Sequence, residues 1–173
     1  MNTSLDHKYL VKFIVAGALA FFVGSIHGVL QVQPDIRAWL DSVGSPYGGP
    51  GHMIDPLAHA HINLIGGVTI LVIALSYYLL TIIYGKALPY MKMANFSFWV
   101  TTIGIYSFYT VLVGFGIWEG QLLLAHSDEL EDIHSNITKP FVLTTAMIMG
   151  VGLWSYMLAV VLSVIKYKKN QNE

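Results

Sequence analysis

The sequence predicts an all-α integral membrane protein, a four-helix transmembrane bundle forming a single domain with both termini cytoplasmic. Three observations predict it: 55% of the 173 residues are hydrophobic against 11% charged, four stretches are apolar and nearly free of charge, and the lysines gather at alternate ends of those stretches. Soluble domains carry about 25% charged residues, so a chain this apolar lacks the polar surface that water demands.

The four stretches are residues 11–32, 57–84, 96–118 and 141–165. Each reaches the roughly 20 residues that a helix rising about 1.5 Å per residue needs to cross a hydrocarbon core of about 30 Å. The first follows Lys8 and contains Lys12 at its inner end, a charge pattern shared with secretory signals. Its apolar run is longer than the usual 7 to 15 residues of a signal and ends without a small-residue cleavage site, so it is expected to stay in the mature protein.

Orientation follows from the cations. Lys8 and Lys12 lie before the first span, Lys86 and Lys92 between the second and third, and Lys166, Lys168 and Lys169 after the fourth, whereas only Arg37 and Lys139 lie on the other side. Positive residues near span ends stay in the cytoplasm. Residues 33–56 and 119–140 are therefore expected as outer loops of an inner-membrane protein. In the first of them, Gly44-Ser45-Pro46-Tyr47-Gly48-Gly49-Pro50-Gly51 is expected to be irregular. The preceding 34–40 has the spacing of a short amphipathic helix at the membrane surface, with Trp39 at headgroup depth. Glycines recur within the spans, where small residues let a neighbouring helix or a flat cofactor approach the backbone.

The absence of cysteine excludes disulfides, thiolate metal sites, iron–sulfur clusters and covalent haem attachment. Nothing points to nucleic acid. What remains for chemistry is histidine. Of seven, only His7 lies inside; His27 is near the outer end of the first span, His52 precedes the second, His59 and His61 occupy its first turns, and His126 and His134 lie in the second outer loop. A histidine within a span is costly unless paired or functional, and imidazole is a natural axial ligand of haem iron. At about 100° per residue, His59 and His61 point about 200° apart on a regular helix, so they cannot chelate one ion but can serve two flanks. Either they meet two haems, or one holds a cofactor while the other bonds a carbonyl or Asp55. His27 is the best internal partner for either, with a hydrogen bond near the interface as its plainer role.

The string Leu57-Ala58-His59-Ala60-His61-Ile62-Asn63-Leu64-Ile65-Gly66-Gly67-Val68-Thr69 resembles the tenth helix of subunit I in haem-copper oxidases, above all the C-family cytochrome c oxidases and the nitric oxide reductases. Gly67 stands where the family has tryptophan. Phe98-Trp99-Val100-Thr101-Thr102-Ile103-Gly104-Ile105-Tyr106 with Glu119-Gly120-Gln121 is similar to the next helix, Lys139-Pro140-Phe141 to the start of the last, and 17–28 more weakly to the helix before the pair. The likeness covers only the last four helices of that subunit. It implies that His59 is a proximal ligand of a high-spin haem and His61 an axial ligand of a low-spin haem. Helices bearing copper or non-haem iron ligands have no counterpart, which argues against a complete oxidase.

The resulting expectation is a membrane b-type haem protein carrying one or two haem b groups through His27, His59 and His61, with Asn63 and Gly66 beside the cofactor. It would transfer electrons alone, as a homodimer or within a larger redox complex, with quinol or cytochrome c as electron partner. Two alternatives stay open. One is a haem-based binder or reductase of oxygen or nitric oxide, with Glu119 handling protons and Tyr106 or Tyr109 along the path. The other is a non-redox factor that handles haem or a metal during assembly.

Overall fold

The computed structural model describes residues 7–170, and among these every regular element is helical. A tight turn at Lys8–Leu10 leads into α1 (Val11–Gln31); α2 is Pro34–Ser42, α3 Gly49–Tyr84, α4 Met91–Leu124 and α5 Leu130–Lys169. Four helices, α1 with its leading turn, α3, α4 and α5, are long and apolar enough to cross a membrane. The chain is thus a multi-pass bundle with α2 folded across one end. The opposite end carries the 85–90 turn and Lys166, Lys168 and Lys169.

The helices run further than hydropathy implies. The second outer loop, expected over 119–140, shrinks to a turn at 125–129, and α3 begins inside the glycine-rich run rather than at residue 57. Hydropathy marks only the part of a helix that hydrocarbon can surround, and a helix continues into polar residues wherever its backbone stays bonded. The amphipathic helix expected at 34–40 is present, but it packs on the bundle: Leu40 and Val43 are buried, and Trp39 lies against Gly120.

α3 is not a uniform helix. Wide turns of the i→i+5 kind occupy Met53–Ala58 and Ile62–Thr69, leaving His59–His61 as the α-helical stretch between them. Asp55 leaves helical geometry altogether (φ −132°, ψ 111°), immediately before Pro56. Proline removes a backbone donor and drives the preceding residue toward extended angles. Such wide turns are rare and are frequent at functional sites.

α3 packs against both α1 and α4, α5 packs chiefly along α4, and the inner faces of α1, α3 and α4 close a core around Phe13, Ala20, Ile62, Ile73, Tyr77 and Ile105. Lys12 is accommodated by donating to Asn95 Oδ1 at 2.5 Å and lying 4.7 Å above the Phe98 ring. Leu143, Trp154, Leu158 and Val161 on α5, and Ile14, Phe22 and Val29 on α1, face outward, as lipid-facing side chains do. Gly85, at φ 61°, ends α3 in the left-handed conformation that a side chain resists.

Arg37 ties α2 to the start of α3. Its guanidinium donates to Asp55 Oδ2 and Asp41 Oδ1, each at 2.5 Å, and to Ser45 Oγ at 2.7 Å, while Ser45 Oγ donates to the Asp55 carbonyl. Donating to Asp41 and then to Asp55 pushes the Arg37 pKa further up. Replacing Arg37 by Met strands the largely buried Asp55 carboxylate. The expected loss is about 2 kcal/mol, between the values for exposed and buried ion pairs. A lower thermal midpoint and faster proteolysis at 43–48 would register it.

Candidate functional site

The seam between α1 and α3 is where the histidines meet. A Cβ added at Gly28 would lie 3.0 Å from His59 Cε1, so the glycine makes room for that imidazole. Across the seam the His27 and His59 rings meet edge to face, centroids 5.3 Å apart at 76°. His27 is 6% exposed and its Nδ1 is 3.1 Å from the Tyr109 hydroxyl on α4. His59 Nδ1 is buried with no hydrogen-bond partner. A buried polar atom left unsatisfied is rare and calls for a reason, whether strain, chemistry or a missing ligand.

His61 faces the other way. Its Nδ1 lies 2.8 Å from the Leu57 carbonyl oxygen, which can only accept, so Nδ1 carries the proton and Nε2 keeps its lone pair. The ring is tilted against Phe108 of α4, centroids 5.0 Å apart. The structure therefore turns His59 toward α1 and His61 toward α4, the two-flank arrangement that the spacing implies. It brings His27 to His59 and not to His61. Two rings in edge-to-face contact leave no gap between them for a flat macrocycle.

Asn63 and Gly66 belong to the same seam. The Asn63 amide donates to the His59 carbonyl at 2.9 Å and packs against Gly24, where any Cβ would collide with it. Gly66 is buried against Ala20. Both set the register that delivers His59 to Gly28 and His27; neither bonds an imidazole nitrogen.

Glu119, read from the sequence as an acid at the outer end of its span, is 2% exposed. His134 Nδ1 sits 3.1 and 3.0 Å from its two oxygens, so the carboxylate accepts from an imidazole held at the first turn of α5. Sequence reasoning missed this pair, because the partners come from two helices joined by a turn. His134→Ala is expected to cost about 3 kcal/mol, the low end for orphaning a buried charge, since the imidazole itself is partly exposed. Adding Glu119→Gln, which removes the charge, should recover part of that stability in a thermal melt.

His52 donates through Nδ1 to the Pro46 carbonyl at 2.5 Å, and His126 is exposed in the α4–α5 turn. Among the described residues, no three of His, Cys, Asp or Glu converge as a chelated metal requires. A cavity of about 530 Å³ opens between α1 and α4 beneath α2, with Val23, His27, Gln31, Trp39, Tyr109 and Gln121 in its wall. The chain matches no family model, no curated protein and no solved structure.

Proposed function

We propose that the chain is a membrane b-type haem protein acting in electron transfer, and the observation that carries this reading is His61. Its Nδ1–H is held by a backbone carbonyl, which fixes the tautomer, orients the ring and raises the basicity of Nε2. That arrangement accompanies almost every metal-ligating histidine. The unsatisfied Nδ1 of His59 on the opposite flank is the second support. The donor set suits haem better than zinc, which asks for three or four convergent ligands.

His61 would hold iron through Nε2, and the chain's remaining residues shape the surroundings. Phe108 supplies an apolar wall, and the unpartnered Nδ1 of His59 offers a second point of attachment, for one or two haem b groups per chain. Bound haem supplies one-electron chemistry. The electron partner would be a quinol or a cytochrome c. The resemblance to the last helices of haem-copper oxidases rests on the residue strings alone and is part of this proposal. So is the orientation, with the lysine-bearing end in the cytoplasm and the histidines at the outer face of the inner membrane, which the tendency of positive residues to stay inside supports.

Among the described residues the His61 ring meets Phe108 and the Leu57 carbonyl, not a second imidazole. That favours either a ligand from a second copy or from a partner subunit, or an open iron that binds gas. A reduced-minus-oxidised spectrum of the purified protein, with haem-to-protein stoichiometry, tests the whole reading. Sharp reduced bands unmoved by carbon monoxide are expected for ligation completed by a second chain, and a large shift for the gas-binding variant. Protein prepared with haem in excess that shows no Soret band refutes both.

A further inference from the structure

We propose that the cavity between α1 and α4 is a binding site for the headgroup of a membrane quinol, a para-dihydroxy aromatic ring on an isoprenoid tail. The site adds to the haem reading a docking place for an electron partner, yet it involves neither His59 nor His61. His27 in its wall touches His59, so Gln31 and the ether comparison carry the part of the test that stands apart from that reading.

The wall is apolar apart from a few polar groups. Val23, Ile26, Leu30, Val113 and Ile117 line the spans, and Trp39 and Leu40 of α2 close the top. Two of the polar groups stand on one face of α1: His27 and Gln31 are four residues apart, about 6 Å along the helix axis. Both line the cavity one helical turn apart, so they meet a bound ring at two depths. Gln31 Oε1 is buried and has no hydrogen-bond partner, an acceptor waiting for a donor. His27 is bonded to Tyr109, and both an imidazole and a phenol can act as donor or acceptor. Together they can accept from the second hydroxyl of a quinol or donate to the carbonyl of a quinone.

Chemistry separates this occupant from the others. An acyl chain would leave Gln31 Oε1 unsatisfied. Haem brings propionates, and no lysine or arginine lines the cavity; Arg37 on α2 is committed to Asp41, Asp55 and Ser45. A quinol needs neutral hydrogen-bonding groups at two depths and an apolar exit for its tail. Exposed Ile26, Leu30 and Ile117 form such a rim on helices long enough to span a membrane. A pocket that is mostly apolar with a few convergent polar groups is also the usual form of a small-molecule site.

The test is titration calorimetry of the full-length protein in detergent with decyl-ubiquinol, kept reduced, and with its bis-methyl ether, which has the same ring and tail but no donors. The quinol is expected to bind saturably and the ether at least tenfold more weakly. Gln31→Leu and His27→Phe should each weaken the quinol by about five- to tenfold, the worth of one neutral hydrogen bond, in protein whose thermal midpoint shows it is folded. A photoreactive azidoquinone should label 23–31 or Trp39, which identifies the site even if a variant fails to fold. Equal binding of quinol and ether, or labelling confined to other helices, would overturn the proposal. Haem content is read separately from the Soret band, so loss of one result does not disguise the other.

Discussion

With His61 as the proposed haem ligand, His61→Ala is expected to purify folded, in the membrane fraction, with less than about a tenth of the haem of the unchanged protein, because losing a ligand would cost more than the 10- to 100-fold typical of losing a ligand's supporting partner. His61 is half-buried, its one hydrogen bond is to the carbonyl one turn below, and its ring only leans on Phe108. The truncation therefore exposes no buried charge and opens only a shallow gap, so the bundle should survive it. His61→Ala with added imidazole makes the outcome specific. Free imidazole can occupy the vacated space and restore a haem spectrum if His61 is the ligand, and it can restore nothing if His61 only packs. Full haem in the alanine variant would remove His61 from the site.

His59→Ala separates the two flanks. Its imidazole fills the space that Gly28 leaves and touches His27, so its loss disturbs the α1–α3 seam as well as any haem it holds. Spectral change in His59→Ala together with a lowered thermal midpoint would be ambiguous. His59→Gln, which keeps much of the volume and a polar head, resolves it: a role in packing is largely retained, whereas iron ligation is lost.

How much of this could be read without coordinates depends on what each feature rests on. The spans follow from length and apolarity alone, and the opposed directions of His59 and His61 follow from about 100° per residue. Local geometry carries both. The pairing of His27 with His59 does not follow in that way, since it depends on the register of α1 against α3, which close contacts such as Gly24 with Asn63 help to set. The wide turns on either side of the histidines leave little trace in composition, although Pro56 announces the break at Asp55. Glu119 was the least legible. Hydropathy assigns a carboxylate to water, and only the fold of α5 back onto α4 shows that an imidazole replaces that water.

The second large effect is expected at the α4–α5 crossing. A Cβ at Gly152 would strike the Thr101 backbone nitrogen and hydroxyl, and one at Gly104 would lie 2.5 Å from the Met149 nitrogen and 2.6 Å from its Cα. The colliding atoms are largely backbone, so no rotamer change relieves the contact and the helices must separate along their length. Apolar lipid offers no hydrophobic drive to bring them together again; close van der Waals packing at small residues is a main source of association between spans. Gly152→Leu is therefore expected to exceed the usual ~1–3 kcal/mol of overpacking and to yield protein that aggregates on size exclusion in detergent. Gly114, on the same helix as Gly104, has open space where its Cβ would be. Gly114→Ala should be neutral or stabilising by up to about 1 kcal/mol, the helix preference of alanine over glycine. If Gly152→Leu stays as monodisperse and as thermally stable as Gly114→Ala, the two helices do not cross at these residues, and the fold of α5 that delivers His134 to Glu119 fails with it.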